Sequence, residues 1–234
     1  MRVVPALASP RRVPADQLPA ALVAAGARRG DLIGVAPGDV LAVSLSGGES
    51  FVTDDPRQGC AFVDDSLRPR WVVWDDSEIA SLVAVGVRLA TCWQVAAVHR
   101  LLAGGWHADP GRAWAWLHGL DPRSAPSLGQ LDLLGSPVPT ADDSAVQPDG
   151  HLAPEWAAGS WRAHARMAAE WAALALTAAQ LQSERLAAAG NPRHLATAHA
   201  ESTAALLCGE LAADGLPVHL PTAHAVLAEI IGER

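Results

Sequence analysis

The feature that most constrains this chain is a change of hydrophobic period at residue 75. Before it, apolar residues come in short alternating runs cut by turn residues: Asp31 to Val35, Val40 to Leu45, Ser50 to Val52 and Arg70 to Trp74. Alternation with a period of about two puts successive side chains on opposite faces, so these runs read as strands. Ala36-Pro37-Gly38-Asp39 and Ser46-Gly47-Gly48 are natural hairpin connections. The domain is therefore expected to open on an antiparallel meander.

From Asp75 the period is helical, with Ile79, Leu82 and Val83 on one face and Gly86 placed to end the helix. A short strand, Val87 to Leu89, is expected next, then a helix from Trp93 to Leu102 striped by Val95, Val98, Leu101 and Leu102 and closed by Gly104-Gly105. Asp109-Pro110 supplies an N-cap and a first-turn proline for a helix ending at Gly119. Residues 121–154, rich in Pro, Gly, Ser and Asp around the apolar patch Leu131 to Leu134, read as a loop or tether.

Ser160 is expected to cap a long helix in which Met167, Trp171, Leu174, Ala178 and Leu181 form one buried stripe. Asn191-Pro192 starts the next, through Leu206, Leu207 and Leu211 to Asp214-Gly215. Leu216-Pro217-Val218 then turns into a final helical run ending at Ile231-Gly232. Strands, a helix, a strand and then helices point to an α+β or mixed-sheet α/β fold rather than a doubly wound one.

At 234 residues the chain has material for one large domain and a helical extension. With 50% hydrophobic and 18% charged residues it is not a disordered chain. No apolar run reaches the ~18 residues that a membrane helix needs. Residues 1–12, broken by Pro5 and Pro10, do not read as a secretory signal, so the cytoplasm is the expected location. Cys60, Cys92 and Cys208 have no CxxC spacing and read as small buried apolar residues.

A net charge of −8 argues against a chain that grips nucleic acid by itself. Its densest basic spots, Arg11-Arg12 and Arg28-Arg29, read as solvated surface charge.

Three stretches resemble the actinobacterial bifunctional 3'-5' exonuclease/DNA polymerases, relatives of family A DNA polymerases. Arg70-Trp71-Val72-Val73-Trp74, Gly86-Val87-Arg88-Leu89 and Trp93 to Leu102 resemble the strand-helix-strand-helix of a ribonuclease H-like proofreading exonuclease. Gly104 to Arg112 and Leu131-Asp132-Leu133-Leu134 are similar to the segments that follow it. Ala200 to Leu211 with Asp214-Gly215-Leu216-Pro217-Val218 resembles the helix-turn-helix that begins a polymerase thumb.

The resemblance implies a degenerate exonuclease-like domain over residues 1–154, a long helix over 155–190 that completes or braces it, and the first thumb helices over 191–234. The polymerase active site is expected to be absent, the chain being a truncated front end. DNA is the implied partner, bound weakly or only with the polymerase body, along with a separate polymerase fragment.

An exonuclease of this kind holds two Mg²⁺ or Mn²⁺ ions on about four carboxylates. The resemblance places Asp75, Asp76 and Glu78 near the second acidic motif. The same spacing is a capping box, with Asp75 receiving first-turn N–H groups and Glu78 reaching back, and capping is the preferred reading. The first motif, Asp-x-Glu, is absent from the opening strands, Gln94 stands where a carboxylate is expected, and there is no Tyr for the third motif. Glu170 reads as a solvent-facing partner of Arg166.

No Lys is present for a triphosphate-binding helix. No catalytic residue is assigned, no cofactor is expected for this chain, and Mg²⁺ or Mn²⁺ would serve only an active exonuclease. The alternatives are such an active nuclease and a stand-alone interaction module using the C-terminal helices.

His194 with His199 and His219 with His224 lack the partners of a zinc site. Trp71, Trp74, Trp93 and Trp106 are either stacking platforms for single-stranded DNA or, preferably, core residues.

Overall fold

The computed structural model describes residues 9–124 and 144–232. Its centre is a six-stranded mixed sheet in the order β1-β4-β3-β2-β5-β6. After β1 (Arg11–Arg12) and α1 (Leu18–Ala24) come β2 (Leu32–Pro37), β3 (Leu41–Ser44) and β4 (Ser50–Thr53). β2–β3 and β3–β4 are antiparallel, so the expected meander is present. Then follow α2 (Pro56–Leu67), β5 (Arg70–Val73), α3 (Asp76–Ala84), β6 (Cys92–Gln94) and α4 (Val95–Ala103). β5 runs parallel to both β2 and β6. The remaining helices are α5 (Pro110–His118), α6 (Pro154–Ala157), α7 (Ala165–Ala188), α8 (Pro192–Asp214) and α9 (Leu220–Ile231).

Alternation along the strands sorts two cores. Ile33, Val35, Leu41, Val43, Phe51, Trp71, Val73 and Cys92 lie in one, with Leu18 and Leu22 of α1, Cys60 and Val63 of α2 and Ile79 and Leu82 of α3. Ala36, Ala42, Val52, Val72 and Trp93 face the other, built on α7. The small residues on this second face let α7 lie close. A Cβ added at Gly34 would stand 2.1 Å from the Ala172 carbonyl oxygen. The Ser44 hydroxyl donates to the Ala169 carbonyl at 2.8 Å, tying strand to helix.

Several local expectations need correcting. The strand expected at Val87 to Leu89 lies instead at Cys92–Gln94, and Trp93, expected in a helix, pairs with Val72. Val87 and Leu89 are buried in the connection. A parallel partner of β5 must return to the start of that strand, so ladder bonding begins only at Thr91, whose carbonyl accepts from the Trp71 N–H. Ser160 lies in a 3-10 turn and does not cap α7, whose N-cap position is His164.

The segment between β4 and β5 holds helix α2, for which the period gave no warning. Asp55 caps it, accepting from the Gln58 N–H at 2.9 Å, and Pro56 occupies its first turn. Arg11 and Arg12 are exposed but belong to β1; Arg12 pairs with Asp54 and Arg11 sits 4.7 Å over the Phe51 ring. Cys60 and Cys92 are buried, whereas Cys208 is exposed, contrary to expectation. Leu131 to Leu134 lies outside the described residues.

α8 covers the β6 edge. The Gln94 N–H donates to the Ser202 hydroxyl at 3.1 Å and the Cys92 thiol to the Ser202 carbonyl at 3.1 Å. Gly209 lets α8 approach α3, since a Cβ there would stand 2.4 Å from Ile79 Cγ2. α9 has no buried residue and exposes Val226, Leu227, Ile230 and Ile231. Among the described residues, no helix is long and apolar enough to cross a membrane.

Candidate functional site

The three carboxylates singled out in the sequence stand where β5 passes into α3, and they point in different directions. Asp75 is the N-cap, in extended backbone, with its Oδ1 accepting from the Ser77 N–H at 2.9 Å and the Ser77 hydroxyl at 2.7 Å. That satisfies donors which a helix start leaves free. Asp76 is exposed, and its Oδ1 accepts from Gln94 Nε2 at 2.7 Å.

Glu78 turns inward and is 2% exposed. Its Oε2 accepts from the Trp74 N–H at 2.7 Å and its Oε1 from the Trp171 indole N–H at 2.6 Å. It does reach back, as a capping box requires, but to the residue before the cap. Burial, reinforced by the Asp75 charge, pushes the Glu78 carboxyl up to about 8 against the opposing pull of its two N–H donors and Arg162.

Tryptophans close this site. Around Trp171 stand Trp74 at 5.0 Å between ring centroids, Trp161 at 5.9 Å and nearly parallel, and Trp156 at 6.4 Å. The β2–β3 turn shuts the same end of the sheet, because Asp39 N–H donates to the Arg162 carbonyl and Gly38 leaves no space for a Cβ against it. The cage joins Trp74, just past β5, with residues from α3, α6, the 3-10 turn and α7. Nine Trp in the chain was the available signal, and it named the residue type without the grouping.

The donor set does not fit a pair of divalent cations. Glu78 is buried with both oxygens engaged by N–H donors, whereas hard cations need open oxygen ligands. Asp75 and Asp76 face the outside of the helix start, into a cavity of about 280 Å³ shared with Arg100, Trp106 and Asp109. Among the described residues, no group of three or more His, Cys, Asp or Glu is arranged to hold a metal.

Glu170 is not solvent-facing. It is half-buried and accepts from the Ala145 N–H at 3.3 Å; burial raises its carboxyl, while that N–H and Arg166 pull it back down. Trp71, Trp74 and Trp93 are core residues at 0%, 1% and 1% exposure, whereas Trp106 is 90% exposed. Of the four candidate stacking rings, Trp106 alone is open to a ligand. Comparison of the chain with protein-family models, with curated proteins and with solved structures gives no match.

Proposed function

We propose that this chain is a noncatalytic, ribonuclease H-like exonuclease-type module of a family A DNA polymerase, acting in DNA replication and repair beside a polymerase body. The arrangement in its favour is the meander followed by strand-helix-strand-helix, crossed by one long helix. The strand-helix-strand-helix part is the layout that the resemblance at Arg70 to Leu102 implies, with its second strand at Cys92–Gln94 instead of Val87 to Leu89. The observation that carries the noncatalytic reading is Glu78. The carboxyl nearest the expected second acidic motif is sealed under Trp171 with both oxygens accepting N–H groups, from Trp74 and Trp171, so it turns no free oxygen toward a metal-activated water.

The purified chain is expected to leave a 5'-labelled single-stranded oligonucleotide intact in Mg²⁺ or Mn²⁺. It is also expected to increase the affinity of a separately expressed family A polymerase fragment for primer-template DNA. Metal-dependent shortening of the oligonucleotide that disappears in Asp76→Ala would establish an active nuclease instead. No effect on the polymerase fragment would remove the partnership.

One observation favours a second role as an interaction module, the exposed apolar surface of α9. Apolar surface of this kind promotes association. Sedimentation at rising concentration is expected to show self-association that Leu227→Glu abolishes. A monomer at all concentrations would leave α9 without that role.

A further inference from the structure

Two cavities meet at Trp106. One, of about 280 Å³, is bounded by Asp75, Asp76, Arg100 and Asp109. The other, of about 450 Å³, is bounded by Ala97, Arg100, Leu101 and Glu201. Gly104 and Gly105, at φ of 74° and 76°, adopt backbone that L side chains rarely take, and they present the indole to solvent instead of folding it onto the core. Both flanking cavities are of a size that accepts a side chain or short ligand segment.

We propose that this groove binds a basic peptide segment, with an arginine or lysine side chain lying against the Trp106 ring and its charge directed to Asp75 and Asp76. Charge selects this occupant. Among the described residues the lining carries four carboxylates, Asp75, Asp76, Asp109 and Glu201, against one cation, Arg100, with Asp109 also paired to Arg112 at 3.4 Å.

The two nearest the helix start are oriented by neutral donors, Ser77 for Asp75 and the Gln94 amide for Asp76. Behind Asp76, Gln94 is wholly buried, so the amide that holds Asp76 is itself fixed in the core. A cation over an indole face gains from the ring quadrupole and from the adjacent carboxylates together. A polyanion would meet the same carboxylates as repulsion. The site stands whether or not the chain serves a polymerase.

The test is fluorescence anisotropy of a labelled Gly-Arg-Gly-Arg-Gly peptide titrated with the full chain. Saturable binding that weakens with added NaCl is expected, with no binding by the same peptide carrying glutamine for arginine. Trp106→Ala, at a side chain too exposed to affect folding, is expected to weaken binding about tenfold, and Asp76→Asn, which keeps an acceptor for Gln94, about fivefold.

Equal affinity in Trp106→Ala, or no saturation at millimolar protein, would overturn the proposal. Two further outcomes would also do so. A single-stranded oligonucleotide that binds through Trp106 more tightly than the peptide would make the ring a base-stacking platform. Magnesium chloride displacing the peptide far below the ionic strength at which NaCl does would assign the carboxylates to a metal.

Discussion

Replacing Trp171 with alanine is expected to lower the free energy of unfolding by about 4–8 kcal/mol, measured by urea denaturation. Removing a fully buried indole costs about 3–5 kcal/mol through lost burial and the cavity left behind. A further ~1–3 kcal/mol comes from leaving Glu78 Oε1 without its donor. Trp171→Phe weights the second contribution, because it keeps a six-membered aromatic ring in the pocket while removing the N–H, and leaves a smaller cavity than alanine does. It is expected to cost about 1–3 kcal/mol.

The same contact sets a pH dependence. The Glu78 carboxyl is raised from an ordinary value of 4.5 to about 8, so the folded state holds a proton which the unfolded state releases above 4.5. Its stabilising contribution is full below pH 4.5 and is lost as pH rises from there through 8. Each pH unit within that window removes up to about 1.4 kcal/mol. In Trp171→Phe the folded carboxyl loses a donor that favoured its ionised form, so the decline is expected to continue to higher pH. A stability flat from pH 5 to 8, with Trp171→Phe as stable as the parent, would mean that Glu78 is solvated.

Gly34→Ala is the second large effect, expected to cost on the order of 3 kcal/mol, with Gly34→Val failing to give soluble protein. The added Cβ would meet backbone on α7, the Ala172 carbonyl oxygen at 2.1 Å and its carbon at 2.9 Å, so no side chain can turn aside to relieve it. β2 is an interior strand of the sheet and α7 lies across it, so separating the two opens the larger core. Gly47→Ala is the matched control. It sits in the β3–β4 turn with nothing within 4 Å of its Cβ position, and its stability is expected to change by less than about 0.5 kcal/mol. Thermal unfolding of the two alanine variants side by side checks the prediction, and equal melting temperatures would mean that α7 does not press on β2.

Local chemistry was legible at the helix ends of α5 and α8. Asp109-Pro110 and Gly119 bound α5 as read, because an N-cap, a first-turn proline and a left-handed C-terminal glycine act within a few residues. Asn191-Pro192 did the same for α8. Asp55-Pro56 carries an identical start signal for α2, yet its helix was missed because Gly59, Cys60 and Val63 make a short, weakly apolar face. The Val87 to Leu89 alternation misled in the opposite direction. Its residues are buried as a strand's would be, but their hydrogen-bonding neighbour begins only at residue 91.

At the candidate site, the sequence supplied the acidic run Asp75-Asp76-Ser77-Glu78 and its capping role. Asp75 caps α3, a contact between residues two apart. Whether the carboxylates would converge or part was not legible, because that depends on partners far along the chain. Glu78 is fixed by Trp171, 93 residues away, and Asp76 by Gln94, 18 residues away. The sequence by itself determined the meander, the change to helical period and most helix ends, since these follow from side-chain alternation and capping over a few residues. Only the tertiary structure decided that one carboxyl is buried under Trp171 while two stand open beside Trp106. Burial and charge are set by which distant elements cover a side chain, and no local pattern encodes that.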